Sequence, residues 1–146
     1  MMLTNAHRDA LLAAMPSFAP RWTKWQQDQL EYTSRVPEEK LSDEDEQHEF
    51  LWELSSHVAE RFTAADAAGE IAALFAALEE IYAEADAELY SRLTLSLLEQ
   101  LIMDFEHKGQ DAAQLQKYVH GPLTTRAWRA AWEWMHGLAR PSEEMP

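Results

Sequence analysis

Leu89-Tyr90-Ser91-Arg92-Leu93-Thr94-Leu95-Ser96-Leu97-Leu98-Glu99-Gln100-Leu101-Ile102-Met103-Asp104-Phe105 is the stretch on which the fold turns. Wound as a helix, its Leu89, Leu93, Leu95, Leu97, Leu98, Leu101, Ile102 and Phe105 cover well over half the circumference. A helix apolar on so many sides is a central one, and its neighbours pack around it. Asp86 is placed to cap its start, and Lys108-Gly109 carries the chemistry of a helix stop, which bounds the helix at about 87–106.

Working outward, the same periodicity recurs on both sides. Gly69 to Ala85 carries Ile71, Leu74, Phe75, Leu78, Ile81 and Tyr82 on one face. Thr63 to Ala68 is a short connection before it. Ser42 opens the preceding helix, with Asp45 three residues on and Asp43 and Glu44 suited to a positive helix start. Phe50, Leu51, Leu54, Val58 and Phe62 are that helix's apolar stripe. Earlier still, Thr4 to Met15 is a helix ended by Pro16, and Arg21 to Ser34 carries Trp22, Trp25, Gln29 and Tyr32 on one side until Pro37 breaks it. Downstream, Asp111 to Val119 reads as a short helix stopped by Gly121-Pro122. Thr124 or Thr125 then caps a last helix running to Gly137, with Trp128, Ala131, Trp132 and Met135 inward.

No segment alternates with β-branched residues as a strand does. The expectation is therefore an all-α, compact bundle of about six to seven helices around the central one, a single domain over 1–146 with a frayed tail at about 140–146. A length of 146 residues and 47% hydrophobic content suit one core of this kind.

Charge and composition exclude several function classes. With no cysteine, the chain has no disulfide framework, thiolate zinc site or cysteine nucleophile. The longest uncharged apolar run, Ile71 to Leu78, is far short of the roughly 20 residues a membrane helix needs. Ala10 to Met15 is too short for a secretory signal, and Arg8 and Asp9 precede it, so a cytoplasmic location is expected. The net charge of −14 is unevenly spread: residues 38–106 hold 19 Asp and Glu against Lys40, Arg61 and Arg92, and the rest holds 7 acids against 9 bases. That balance argues against phosphate-backbone binding, which needs Lys and Arg, and suits a basic partner protein. Solubility alone also accounts for an acidic surface.

Motifs for chemistry are broken or scattered. His48-Glu49-Phe50-Leu51-Trp52 has tryptophan where a zinc-protease helix needs its second histidine. Asp45/His48, Asp104/His107 and Glu133/His136 have the i, i+3 spacing of di-metal bundles. The inward positions of the neighbouring helices, however, are almost purely apolar and offer no further carboxylates. No Gly-rich phosphate loop or Gly-x-Ser-x-Gly elbow occurs. Neither metal, cofactor nor catalytic residue is expected.

The more informative pattern is geometric. On the Ser42-capped helix the apolar stripe spans about 120°, and Glu46, Glu49, Glu53 and Glu60 fall on the far side within roughly 60°. Trp52 flanks that acidic ridge, and Asp45 precedes it. An aromatic anchor beside clustered carboxylates is a common interface composition, while a solvated face with Trp52 packed on a neighbour is the plainer alternative. Trp134 lies about 160° around the axis from Trp132, so it either packs on another element or stands exposed.

Leu97-Leu98-Glu99-Gln100-Leu101 followed by Val119-His120-Gly121-Pro122-Leu123-Thr124-Thr125-Arg126-Ala127-Trp128 resembles small all-helical bacterial immunity-type proteins, encoded beside secreted toxins. In these a Gly-Pro-Leu-Thr-like turn leads into a Trp-bearing last helix. The resemblance covers about a third of the chain. It implies a non-enzymatic inhibitor, monomeric or homodimeric, that binds a cognate toxin, and it maps no binding residues. Those expected to meet a basic partner, Asp45, Glu46, Glu49, Trp52, Glu53 and Glu60, come from helix geometry alone. Two other readings compete: an adaptor or chaperone-like accessory protein for a secreted effector, and a metal-dependent helical-bundle enzyme using the acid–histidine pairs.

Overall fold

The computed structural model describes residues 1–137; the tail expected to fray lies outside them. Among the described residues there are seven α-helices and no strand: α1 (Asn5–Ala14), α2 (Ala19–Arg35), α3 (Asp43–Arg61), α4 (Ala67–Glu84), α5 (Ala87–Leu93), α6 (Gln100–His107) and α7 (Pro122–Met135). The expected central helix runs from Ala87 to His107 and is interrupted by a π-helical turn, Thr94–Glu99, which separates α5 from α6.

Helix ends follow local chemistry. The Thr4 hydroxyl accepts from the His7 backbone N–H, while His7 Nδ1 accepts from the Thr4 N–H. Ser42 accepts from the Asp45 N–H, and Asp86 from the Leu89 N–H, as the sequence predicts. At the end of α6, Gly109 takes φ +71° and the Gln110 N–H closes on the Phe105 carbonyl.

Three boundaries differ from expectation. Ser17 to Pro20 is not a plain linker: Pro16–Phe18 forms a 3₁₀ turn that runs into α2, whose first turn accommodates Pro20. The segment expected as a sixth helix is a 3₁₀ helix, Ala112–Tyr118. Its buried residues, Ala112 and Leu115, are three apart, the repeat that aligns in a 3₁₀ helix. Neither Thr124 nor Thr125 caps α7. Gly121 is the cap, Pro122 takes the first turn, and the Glu79 carboxylate of α4 accepts from the Leu123 N–H, the Thr124 N–H and the Thr124 hydroxyl at 2.8–3.2 Å. A Cβ on Gly121, at φ +85°, would run into that carboxylate.

Cross-links between helices fix their directions. Arg92 reaches Glu44, His48 bonds Ser96 (2.7 Å), and Ser55 bonds Asp104 (2.7 Å), so α3 runs parallel to the α5–α6 axis. Arg126 lies over the Tyr90 ring and His136 pairs with Glu106, so α7 is parallel to the same axis. The central helix sits between α3 and α7. α1 packs antiparallel on α4, joined through His7–Glu84 at one end and Ser17–Glu70 at the other.

The core is continuous from Phe18, Phe50, Leu51 and Leu54 through Leu74, Phe75 and Leu78 to Leu97, Leu101 and Phe105, all fully buried. α2 stands apart, since Trp22 is its one buried residue. Stacked rings (Trp22 on Trp25, 4.6 Å) and an edge contact to Phe50 seat its N-terminal half, and its distal turns project with Leu30 72% exposed.

Candidate protein interface

The six residues expected to meet a partner all lie on α3, yet they do not form one free ridge. Glu46 accepts from Arg8 of α1 at 3.0 Å. Glu53 and Glu60 both accept from Arg21 of α2, each at 2.8 Å. These three carboxylates thus hold α1 and α2 against α3. Asp45, Glu49 and Trp52 remain, along the edge of α3 that borders the central helix. Asp45 is exposed and makes no ion pair among the described residues.

Trp52 is 42% exposed, with its ring tilted against the His48 imidazole at 5.6 Å between centroids. Glu49 is half-buried and makes no ion pair with Lys or Arg among the described residues. Burial pushes its carboxyl above the ordinary range, the neighbouring Glu53 and Asp45 charges push it the same way, and His48 offsets them only in part. A carboxylate only partly compensated, beside a partly exposed tryptophan, is the composition of an interface edge.

The acid–histidine pairs are spent otherwise. His48 bonds Ser96, Asp104 accepts from Ser55 and Gln100, and Glu133 pairs with Arg129. Among the described residues no three His, Asp or Glu side chains gather as a metal site needs. A Ser17–His57 hydrogen bond of 2.8 Å also exists. Burial foremost, then Arg21 and Arg61, holds His57 below its ordinary pKa. Its hydroxyl partner sits where the 3₁₀ turn meets α3 and α4, and the same serine's N–H bonds Glu70, so the contact is a structural clamp.

Sequence reasoning missed a second group. Leu95, Glu99 and Met103 follow at intervals of four along the central helix. Leu95 and Met103 are 45% and 43% exposed, and Glu99 between them is half-buried. Burial alone pushes Glu99 up to about 7, with no described charge acting on it. A lone acid inside an apolar heptad-like spacing is the signal that could have marked it. Trp134, on α7, is also outward, at 45%.

A shallow cavity of about 240 Å³ lies between α2 and residues 36–42, lined by Trp25, Leu30, Lys40, Leu41 and Glu46. No helix among the described residues is long and apolar enough to cross a membrane. In comparisons with known proteins, no family model, no curated protein and no solved structure matches the chain.

Proposed function

We propose that this chain is a binding protein without chemistry of its own: an immunity-type inhibitor that neutralises a basic bacterial toxin by docking it on the outer edge of α3. The observation that supports it most is Trp52, 42% exposed beside Glu49 and Asp45, neither of which makes an ion pair with Lys or Arg among the described residues. A cation brought to Glu49 offsets a carboxylate that folding leaves desolvated, and the tryptophan supplies the apolar contact. Glu46, Glu53 and Glu60 then act at the rim, because Arg8 and Arg21 already engage them.

The test is co-expression with the tagged product of the adjacent gene, followed by calorimetry at two salt concentrations. The expected result is a stoichiometric complex that weakens as salt rises. Trp52→Ala should reduce its affinity by about 1–2 kcal/mol while leaving the fold intact. Absence of a complex, or one indifferent to Trp52→Ala and to salt, overturns the reading.

A further inference from the structure

We infer that the docking surface is the outer face of all three parallel helices, with the Leu95–Glu99–Met103 stripe at its middle, and that its occupant is an amphipathic helix of the partner carrying a lysine or arginine opposite Glu99. The inference rests on the binding reading above and enlarges its site.

The geometry begins with register. α3 and the central helix run side by side, Glu44 level with Arg92, His48 with Ser96 and Ser55 with Asp104, which sets Trp52 level with Gln100. Gln100 and Asp104 line the seam with α3, and Glu99 and Met103 are the next positions outward on the same helix. α7 flanks the other side, and its His136–Glu106 contact places Trp134 level with the end of α6. Trp52, Leu95, Met103 and Trp134 are half of the eight large hydrophobic residues that stand exposed among the described residues, and they lie on three adjacent elements. A helix that is the middle member of a layer ordinarily covers such positions with polar residues.

Charge chooses the occupant. Glu99 is a half-buried carboxylate on which no charge among the described residues acts, and Glu49, also half-buried, has the adjacent His48 imidazole but no Lys or Arg ion pair among them, so both stay only partly compensated until a cation is supplied. Flanking exposed leucine and methionine take an apolar face, and methionine adapts to varied partners. A row of apolar side chains interrupted by one cation is what a basic amphipathic helix presents at one-turn spacing. A second copy would instead set acid against acid in a chain of net charge −14.

The probe is a synthetic 14-residue helix with leucines on one face and lysines on the other, compared with its glutamate counterpart. The binding constant is read by calorimetry and the footprint by amide NMR. The lysine peptide is expected to bind saturably and shift Leu95, Glu99, Met103, Trp52 and Trp134 together. Glu99→Lys and Met103→Glu should each weaken it by about ten-fold or more, while Glu80→Lys on the exposed face of α4, an equal change of charge to Glu99→Lys, changes it less than about three-fold. Circular dichroism verifies that each variant remains folded. Equal weakening by Glu80→Lys, or no saturable binding, overturns the proposal. Dependence on Trp52 and Glu49 with indifference to Glu99 and Met103 overturns the enlarged surface alone and leaves the α3 reading standing. Dependence on Glu99 and Met103 with indifference to Trp52→Ala does the reverse. A concentration-dependent dimer that protects Met103 overturns it in favour of a second copy.

Discussion

α2 and the central helix are of similar length, 17 residues against the 21 from Ala87 to His107, yet they are held in opposite ways. The central helix buries Leu89, Leu93, Leu97, Leu98, Leu101, Ile102 and Phe105 between α3 and α7. α2 buries Trp22, stacks Trp25 on it, and is otherwise fastened by one arginine gripping two carboxylates. Apolar burial is insensitive to salt and extends along a whole helix. An ion pair that water still reaches, as it does Arg21 with Glu53 and Glu60, is partly screened and holds only one point. The molecule therefore consists of a layer that opens only when the whole protein unfolds and an arm whose distal turns can fray without it.

The contrast breaks most visibly under paired truncations. Leu101→Ala, in a fully buried position, should cost about 3–4 kcal/mol in denaturant unfolding, whereas Leu30→Ala on the arm should change stability by less than about 0.5 kcal/mol. Comparable losses at both sites would mean that α2 is packed far more firmly than its exposure implies.

The second effect sharpens how the layer is closed. Glu79 caps α7 from another helix, and its hydrogen bonds from Thr124 and Leu123 hold its carboxyl below the ordinary range despite burial. Glu79→Gln should cost about 1–2 kcal/mol at pH 7. Because the folded-state value is the lower one, that stabilisation is present above the ordinary value of 4.5 and is lost as pH falls through the folded value. The difference between the two proteins should accordingly shrink on acidification, and a pH-independent difference would remove the charged cap from the account.

Glu99 is the misfit inside the well-packed layer, and its sign is opposite. Its folded-state value, about 7, lies above the ordinary 4.5, so the folded protein holds a proton that the unfolded chain releases between those values. Its contribution falls as pH rises through that window. Allowing for partial solvent access, Glu99→Gln should stabilise the protein by about 1–2 kcal/mol at pH 8 and by almost nothing near pH 4. Paired melts of the two proteins at both pH values check this, and destabilisation at pH 8 would contradict it.

The smallest effect belongs to the arm. Arg21→Ala should lower global stability by less than about 1 kcal/mol while raising amide hydrogen exchange through α2, and added salt should mimic it in the parent protein. Unchanged α2 exchange would show that the aromatic stack alone seats the helix.

What was legible in the sequence follows this division. The central helix and the stripes of α3 and α4 could be read because apolar burial writes itself at a period of 3.6 residues. The π turn could not, since no residue type in Thr94–Glu99 demands one, and its effect is to leave Leu95 outside a helix that the pattern had made apolar nearly all round. The acidic ridge was visible as a face, but its occupation by Arg8 and Arg21 depends on contacts 32 to 39 residues apart. The cap on α7 was half legible: Gly121-Pro122 has the residue order of a helix start, but Glu79, 44 to 45 positions upstream of the amides it accepts from, does not announce itself.

The shared direction of α1, α3, α5 and α7 has an electrical consequence. Four backbones point their positive ends the same way, each worth about half an elementary charge, and the C-terminus of the antiparallel α4 takes back about half a unit, so that end of the molecule gathers no more than about one and a half units of positive peptide charge. Asp43, Glu44, Asp45 and Glu46 sit in the first turn of α3, Asp86 and Glu88 at the start of α5, and Glu79 at the start of α7. Much of the acidity in the middle of the sequence thus balances the protein's own amide dipoles. The field an approaching cation feels at that end is weaker than the formal count suggests, which leaves the midpoints of the three helices as the more attractive place to arrive.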